Sequence, residues 1–361
     1  MSSIRLALLA VIVVAALSPA SADEVVTVAT YNIEHFQAHF QAFEITRQLT
    51  PEQKADPLLA ELLAAVRNAN DEDNWEVAQV ITDPNMNPDI LVIQEGCTQS
   101  NLAYFNKRWL QNAYATAITF PTNTGFDQHL NMLLKPGFKV LKRSDKWHLE
   151  KDPASKERGD RLFARGPAFV LVQTPSGYRF WVGTTHQKSK RTDFAAAAEA
   201  EISKANEGQA KNVVDAKLPD ARNASGKAAA AWRNREAKRT HEIMKELASG
   251  GESDDVLLLG DMNDDPGQDE HEKLAGGDAI DLLVGPRADG FILATKPLVD
   301  SKAISFSGYW RPDFRSFIDH VVATPAMKGQ ITDVKVYRQG LAPTASDHYP
   351  VVVKVKSDPA K

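Results

Sequence analysis

From residue 25 onward the chain alternates short apolar runs, rich in β-branched residues, with longer stretches whose apolar positions recur every three or four residues. The short runs predict buried strands at Val25–Ile33 (VVTVATYNI) and Asp89–Gln94 (DILVIQ), followed by strands at Gln128–Leu134, Ala168–Gln173 and Tyr178–Thr185. Four more are predicted at Val256–Leu259, Ile318–Ala323, Ile331–Tyr337 and Pro350–Val355. Helical spacing appears over Thr98–Gln111 and again over Ala228–Ala248. In the latter Ala237, Thr240, Met244, Leu247 and Ala248 share one face. Strands interleaved with helices define an α/β class, with sheets packed face to face and helices outside. No repeat of fixed period interrupts the pattern.

Two stretches depart from it and read as insertions. His35–Asp73 is polar and helix-forming, with breaks at Pro51 and Pro57. Gln187–Thr240 is rich in alanine and lysine, with AAAA at Ala195–Ala198 and at Ala228–Ala231, and its inserted part ends near residue 227. It holds twelve Lys and Arg against seven Asp and Glu, in a chain whose net charge is −5. Because acidic residues are interspersed, the segment reads as a solvated helical arm; the alternative is a cationic lip beside a site for anions. At the amino end Arg5, the apolar run Leu6–Leu17 and Ser18-Pro19-Ala20-Ser21-Ala22 form the pattern of a cleavable export signal. Residues 1–22 are therefore expected to be removed and residues 23–361 to act outside the cytoplasm, secreted or periplasmic, without stable membrane insertion. A single cysteine, Cys97, excludes an intramolecular disulfide and a cysteine-built zinc site. The acidic balance excludes a polycationic nucleic-acid coat, though not an enzyme that meets phosphates in one cleft.

The chemistry gathers at strand ends. TYNIE at Thr30, VIQE at Val92, GTTHQ at Gly183, LLLGDMND at Leu257, FIDHVV at Phe317 and SDHYPV at Ser346 each set a costly polar residue after or inside an apolar run. Asn32, Glu95, His186, Asp261, Asn263, Asp319, Asp347 and His348 are thus candidates for one convergent cluster. Each alone has a structural reading, as a turn, a helix cap or a buried histidine; eight together point to a reaction centre. Carboxylate and amide oxygens are hard ligands that suit magnesium, with manganese or calcium as substitutes, better than zinc. Such an ion polarises a phosphoryl oxygen, and a histidine held by a carboxylate takes a proton from water. Successive strand residues face opposite ways, so Asp319 cannot serve its neighbour His320; the pairing expected is Asp319 with His348.

These motifs, in this order, resemble the endonuclease/exonuclease/phosphatase superfamily typified by deoxyribonuclease I, over about residues 25–355. The resemblance implies a four-layer α/β-sandwich, two mixed sheets back to back between helices, with the site at one edge. It implies Asn32, Glu95 and Asp347 at the metal, and Asp261 and Asn263 positioning water and phosphate. It also implies His348 as general base with Asp319 behind it, and His186 against the phosphate. Glu34 is a candidate extra ligand, and Arg165 (in ARGPAFV) a phosphate contact, ahead of Arg158 and Arg161. Two departures stand out. The glutamate that backs the second histidine in secreted nucleases is matched by Gln128, beside Asp127, and the glutamate that often follows the family arginine is Gly166. A neutral amide does not stabilise an imidazolium, so His186 is expected to hydrogen-bond rather than donate a proton. The function expected is an exported, metal-dependent phosphoric-ester hydrolase, acting as a monomer. A phosphodiesterase or nuclease comes first; the alternatives are a phosphatase or phospholipase-type enzyme on sugar, inositol or lipid phosphates, then a silent binding protein. Cleft charge separates the first two, because long nucleic acid needs a positive groove.

Overall fold

The computed structural model describes residues 24–124, 128–155, 160–189, 211–266, 278–286, 290–307 and 315–357, with the side chains of 211–225 left aside. Fourteen strands are present among them: β1 Val25–Asn32, β2 Ile90–Gly96, β3 Thr116–Phe120, β4 His129–Leu134, β5 Lys139–Ser144, β6 Ala168–Gln173, β7 Arg179–His186 and β8 Val256–Asp261. They continue with β9 Ile292–Leu293, β10 Phe306–Ser307, β11 Arg315–Ser316, β12 Asp319–Ala323, β13 Ile331–Val336 and β14 Val351–Lys356. Two six-stranded mixed sheets result, ordered β13-β14-β1-β2-β4-β3 and β5-β6-β7-β8-β12-β9, and β10 pairs with β11. β1 and β2 run parallel, as do β7 and β8.

The alternation within each strand decides the layers. Val26, Val28, Ile90, Val92, Phe180, Val182, Leu257, Leu259 and Val321 fill the space between the sheets. Their neighbours of opposite parity point outward. Ala29, Tyr31, Leu91 and Ile93 meet Val77, Ile81 and Phe105 of helices Pro57–Thr82 and Gln99–Arg108. Trp181, Val256, Leu258 and Val322 meet Ala237, Ile243 and Met244 of helix Lys211–Ala248 and Leu283 of helix Ala279–Val284. Each fully buried Val, Leu or Phe in these layers contributes about 1.5–3 kcal/mol. This is the four-layer α/β-sandwich. Among the described residues no helix is long and apolar enough to cross a membrane.

The sequence pattern missed five strands. Lys139–Ser144 (KVLKRS) is the largely exposed edge of its sheet, so burial left no apolar signature; Thr116–Phe120 is the half-buried edge of the other sheet, and Ile292–Leu293, Phe306–Ser307 and Arg315–Ser316 are only two residues long. The prolines read as breaks are helix starts. Thr50 and Gln53 form a capping box ahead of Pro51–Lys54, and Asp56 caps the helix at Pro57. That helix runs unbroken through Asp73 to Thr82, and its last turns, from Val77 to Ile81, belong to the core.

Gly260 joins the fold to the site. Its φ is +157°, and a Cβ there would lie 2.0 Å from the Thr185 carbonyl oxygen, opposite it on the parallel strand. Only glycine lets β7 and β8 approach closely enough to set His186 beside Asp261. Gly260→Ala is expected to destabilise the protein by about 3 kcal/mol or more, read as a lower urea midpoint with an unchanged slope.

Candidate active site

The parity that builds the core also builds the site. On β1 the inward positions after Val28 are Thr30 and Asn32; on β2, Gln94; on β7, Thr184 and His186; on β8, Asp261; on β12, Asp319. The inter-sheet layer thus turns from apolar to polar along one direction. Gln94 ties the sheets together, accepting from Thr30 Oγ1 (2.9 Å) and donating to Thr184 Oγ1 of the opposite sheet (2.9 Å). One step further Asn32 Nδ2 donates to Asp261 Oδ2 (3.1 Å), again across the sheets, and approaches Glu95 Oε1 at 3.5 Å. In register, His186 lies beside Asp261 and Asp261 beside Asp319.

Glu95 leaves this alternation. The pairing with β4 shifts between Ile93 and Gly96, and Glu95 adopts φ +53°, which turns its carboxylate into the cleft. There it accepts from the His35 backbone N–H (3.0 Å) and from Gln128 Nε2 (2.9 Å). His35 and Asn263 also have positive φ, near +53° and +51°, so three strained non-glycine residues cluster at one centre.

The Ser346–Pro350 turn closes the cluster from the carboxyl end of the chain. Ser346 Oγ donates to the Asn32 carbonyl (2.7 Å) and accepts from the His348 amide. His348 Nδ1 meets Asp319 Oδ2 at 2.7 Å, while its Nε2 lies 3.8 Å from both Asp261 Oδ2 and Asp347 Oδ1. The Phe306 ring covers the imidazole at 4.9 Å between centroids. Burial works against a charge on His348, but Asp319, Asp347 and Asp261 override it and lift its pKa to about 10. Asp261 moves the other way: despite burial, His186, His348 and the Asn263 amide hold it well below the usual carboxylate range.

His186 has Nε2 3.3 Å from Asp261 Oδ2, and its buried Nδ1 has no partner among the described residues. Burial and then Arg165 lower its pKa, which keeps the ring neutral. Gln128 does not back this histidine. Its oxygen accepts from Arg165 Nη1 (2.9 Å) and its nitrogen donates to Glu95, so it fixes the carboxylate and the guanidinium side by side. Arg165 is 9% exposed, also donates to the Gln187 carbonyl, and reaches the same cleft. His320 points to the outer face, between Thr295 and the Asp264 carbonyl. Arg158 and Asp127 lie outside the described residues, as do the side chains of 190–225, on which the choice between solvated arm and cationic lip depends. Arg161 bonds to the Leu149 carbonyl, away from the cleft lining.

A divalent ion fits the donors that remain. Asn32 Oδ1 is buried without a partner among the described residues. Asp347, 6% exposed, has its pKa pushed up to about 6 by burial and by the charges of Glu34, Glu95 and Asp261, against the pull of His348. An accumulation of hard anionic oxygens around an unpaired amide oxygen is the donor set a magnesium-type ion satisfies. Among the described residues, no three His, Cys, Asp or Glu side chains form a metal cage by themselves. Asn32 is the neutral member that such a count passes over.

Sequence reasoning missed Glu236. This buried residue of helix Lys211–Ala248 accepts the amides of Ala164 (3.2 Å) and Lys188 (2.6 Å), clamping the segments that carry Arg165 and His186. One turn away the buried Arg233 pairs with Asp264, whose other oxygen accepts the Ile280 amide. Glu236→Gln replaces one acceptor with a donor facing an N–H, and kcat/KM is expected to fall about tenfold to a hundredfold. Burial pushes the Glu236 carboxyl up to about 7, against the two amides, Arg165 and Lys188. Activity should therefore fall as pH drops through about 7, where protonation removes one acceptor. Folding stability responds with the opposite sign, since a group whose folded pKa is raised contributes most below its unfolded pKa and loses that contribution as pH rises towards 7. A pH–rate profile of wild type and variant checks both statements when run beside a pH series of melts.

The fold thus brings clustered carboxylates, two histidines and a buried arginine into one cleft at the edge of the sandwich. The chain belongs to the endonuclease/exonuclease/phosphatase family, whose model it matches over residues 29–348 and whose members hydrolyse phosphoric esters with divalent metal ions. Among solved structures it is similar to a family protein of Bacteroides thetaiotaomicron (17% identity, TM-score 0.55, covering 93% of this chain and 99% of that one). It is also similar to a mannosyl-6-phosphatase of the same organism (18%, 0.52, 91% and 98%) and to a humanized TDP2 of D. rerio (12%, 0.50, 92% and 99%). Among curated proteins none matches the chain.

Proposed function

We propose that this protein is an exported, metal-dependent hydrolase of small phosphoric esters, monomeric, with His348 as general base. The observation that carries the chemistry is the 2.7 Å bond between His348 Nδ1 and Asp319, which leaves Nε2 facing the Asp261 and Asp347 carboxylates. Asp319 fixes the tautomer, so Nε2 is the atom that accepts a proton from water. The water oxygen bonds to phosphorus as the bond to the ester oxygen breaks; that oxygen takes a proton from solvent, and His348 returns its own to solvent afterwards. Arg165 binds the phosphoryl oxygens, and the neutral His186 has one N–H, at Nε2 beside Asp261, to offer them, while Asp261 and Asn263 orient the water. Asn32, Glu95 and Asp347 would hold the ion, with Glu34 nearby; the ion, when bound, supplies Lewis-acid polarisation of the phosphoryl group. The pKa of His348 falls towards the working range of a base once the charge of Asp347 is shared with a cation.

The cleft supports a small ester over long nucleic acid. Among its described lining residues Glu44, Glu95, Asp261 and Asp347 stand against Arg47, Arg165, Lys188 and the cationic His348, so these residues balance and form no positive track for a phosphate backbone. Export rests on the Arg5 to Ala22 pattern. The test is a panel of a sugar monoester, a bis-aryl phosphate, RNA and plasmid DNA, each assayed with magnesium and with chelator. Metal-restored turnover of the monoester or bis-aryl ester is expected; activity on plasmid DNA alone would reject the small-ester reading, and chelator-resistant turnover the metal.

A further inference from the structure

The cleft is far larger than a phosphoryl group: about 1080 Å³, the scale of a pocket that encloses a whole small molecule. Its outer wall comes from the first insertion. The turn Phe36–Phe40 runs directly into helix Gln41–Gln48, and Gln37, Gln41, Glu44 and Gln48 recur every three or four residues along the cleft. The opposite side of the same stretch is anchored: Phe36 and Phe40 are buried, and Phe43 stacks on Tyr104 at 4.8 Å. The stripe is therefore held facing the cleft.

Its chemistry is specific. Gln37 Oε1 accepts from the Thr98 amide and from Asn101 Nδ2, which fixes that side chain. Gln41 and Gln48 are exposed and make no side-chain hydrogen bond to the described residues. Each presents an acceptor oxygen and two donor hydrogens, the complement of a hydroxyl, which both donates and accepts. The one carboxylate on this wall, Glu44, lies 3.8 Å from Arg47, so the wall is electrically balanced. Among the described lining residues the only phenyl, phenol or indole ring is Phe306, already engaged with His348, and the His35 imidazole lies at Glu95; the glutamine wall itself carries no platform for a stacked base.

Resting on the reading of the centre as a phosphoric-ester hydrolase, we infer that the Gln41–Gln48 helix is the leaving-group subsite and that it takes a neutral, hydroxyl-rich group. The substrate is then a phosphomonoester of a sugar or polyol. The bond between phosphorus and the sugar oxygen breaks, the water oxygen replaces it, and the sugar leaves with a free hydroxyl beside inorganic phosphate. Gln41 and Gln48 bind the hydroxyls beyond the scissile bond, and the balanced Glu44–Arg47 pair leaves that wall no net positive charge to hold a second phosphate.

The experiment compares hexose 6-phosphate, an aryl phosphate and a dinucleotide on the full chain with magnesium, in wild type and in the Gln41→Ala/Gln48→Ala double variant. Two lost hydrogen bonds correspond to about a tenfold change, so the ratio of kcat/KM for hexose phosphate to that for aryl phosphate should fall about tenfold in the variant. The fall should reside in KM. Glu44→Lys should in turn raise relative activity on a hexose bisphosphate. An unchanged ratio, or faster turnover of the dinucleotide than of hexose phosphate, overturns the subsite while leaving the hydrolase reading intact. Absence of turnover on every ester overturns the hydrolase reading, and the subsite with it. Melting curves of both variants, expected to match wild type at the exposed Gln41 and Gln48 and at the partly exposed Glu44, exclude misfolding as the cause.

Discussion

Replacing His348 by alanine lowers kcat by about 10²–10⁴-fold while divalent-ion binding persists, the loss expected when a positioned general base is removed. Geometry gives the reason. Asp319 holds Nδ1 at 2.7 Å, Phe306 covers the ring, and Nε2 alone is left towards the cleft. Asp319→Asn keeps the shape but offers either an amide oxygen or an amide N–H to the imidazole, and it removes the charge that stabilises the imidazolium. Its loss should equal or fall short of that in His348→Ala. Because the pair acts as one unit, the double variant should lose little more than the worse single one. Steady-state kinetics of the three variants decide the matter: additive losses, or a wild-type rate in His348→Ala, would remove the pair from the reaction.

The second large effect belongs to Glu95. Glu95→Gln keeps the side chain's shape and the acceptor for the His35 amide, but it removes a negative charge next to Asn32, whose Oδ1 has no partner among the described residues. The metal concentration for half-maximal activity should rise at least about a hundredfold, beyond the 10–100-fold typical of residues that merely support ligands. A thermal readout checks it without turnover. At a hundred times its Kd, an ion that binds only the folded state stabilises by about 2.7 kcal/mol, and the variant should lose that increment at the same magnesium concentration. A metal titration that superimposes on wild type would assign the ion to other residues.

Much of this site was legible because strands announce themselves by alternation and a buried polar residue at a strand end contradicts the run before it. Asn32, His186, Asp261 and Asp319 are read that way, and the opposite facing of Asp319 and His320 follows from the same period. What alternation cannot carry is tertiary. Glu236 and Arg233 lie in a stretch whose alanines and charges describe a solvated arm; their burial exists only because the helix lies across the second sheet. The role of Gln128 depends on a register shift in the neighbouring strand, which brings Glu95 rather than His186 to its amide. Lys139–Ser144 is a strand only by pairing with Ala168–Gln173, since its own residues look like surface.

The hydrogen bonds from Gln94 to Thr184 and from Asn32 to Asp261 have a consequence for how the protein fails. Both join one sheet to the other, at the end of the layer where apolar packing has given way to polar groups. A slide of one sheet along the other by a single residue, about 3.3 Å, would leave every strand paired and every helix wound while parting Asn32 from Asp261. Catalysis thus works as a caliper on the docking of the two sheets. On gentle heating, activity should vanish while far-ultraviolet circular dichroism still reports a folded backbone, and the gap between the two curves measures how firmly the halves of the sandwich grip each other.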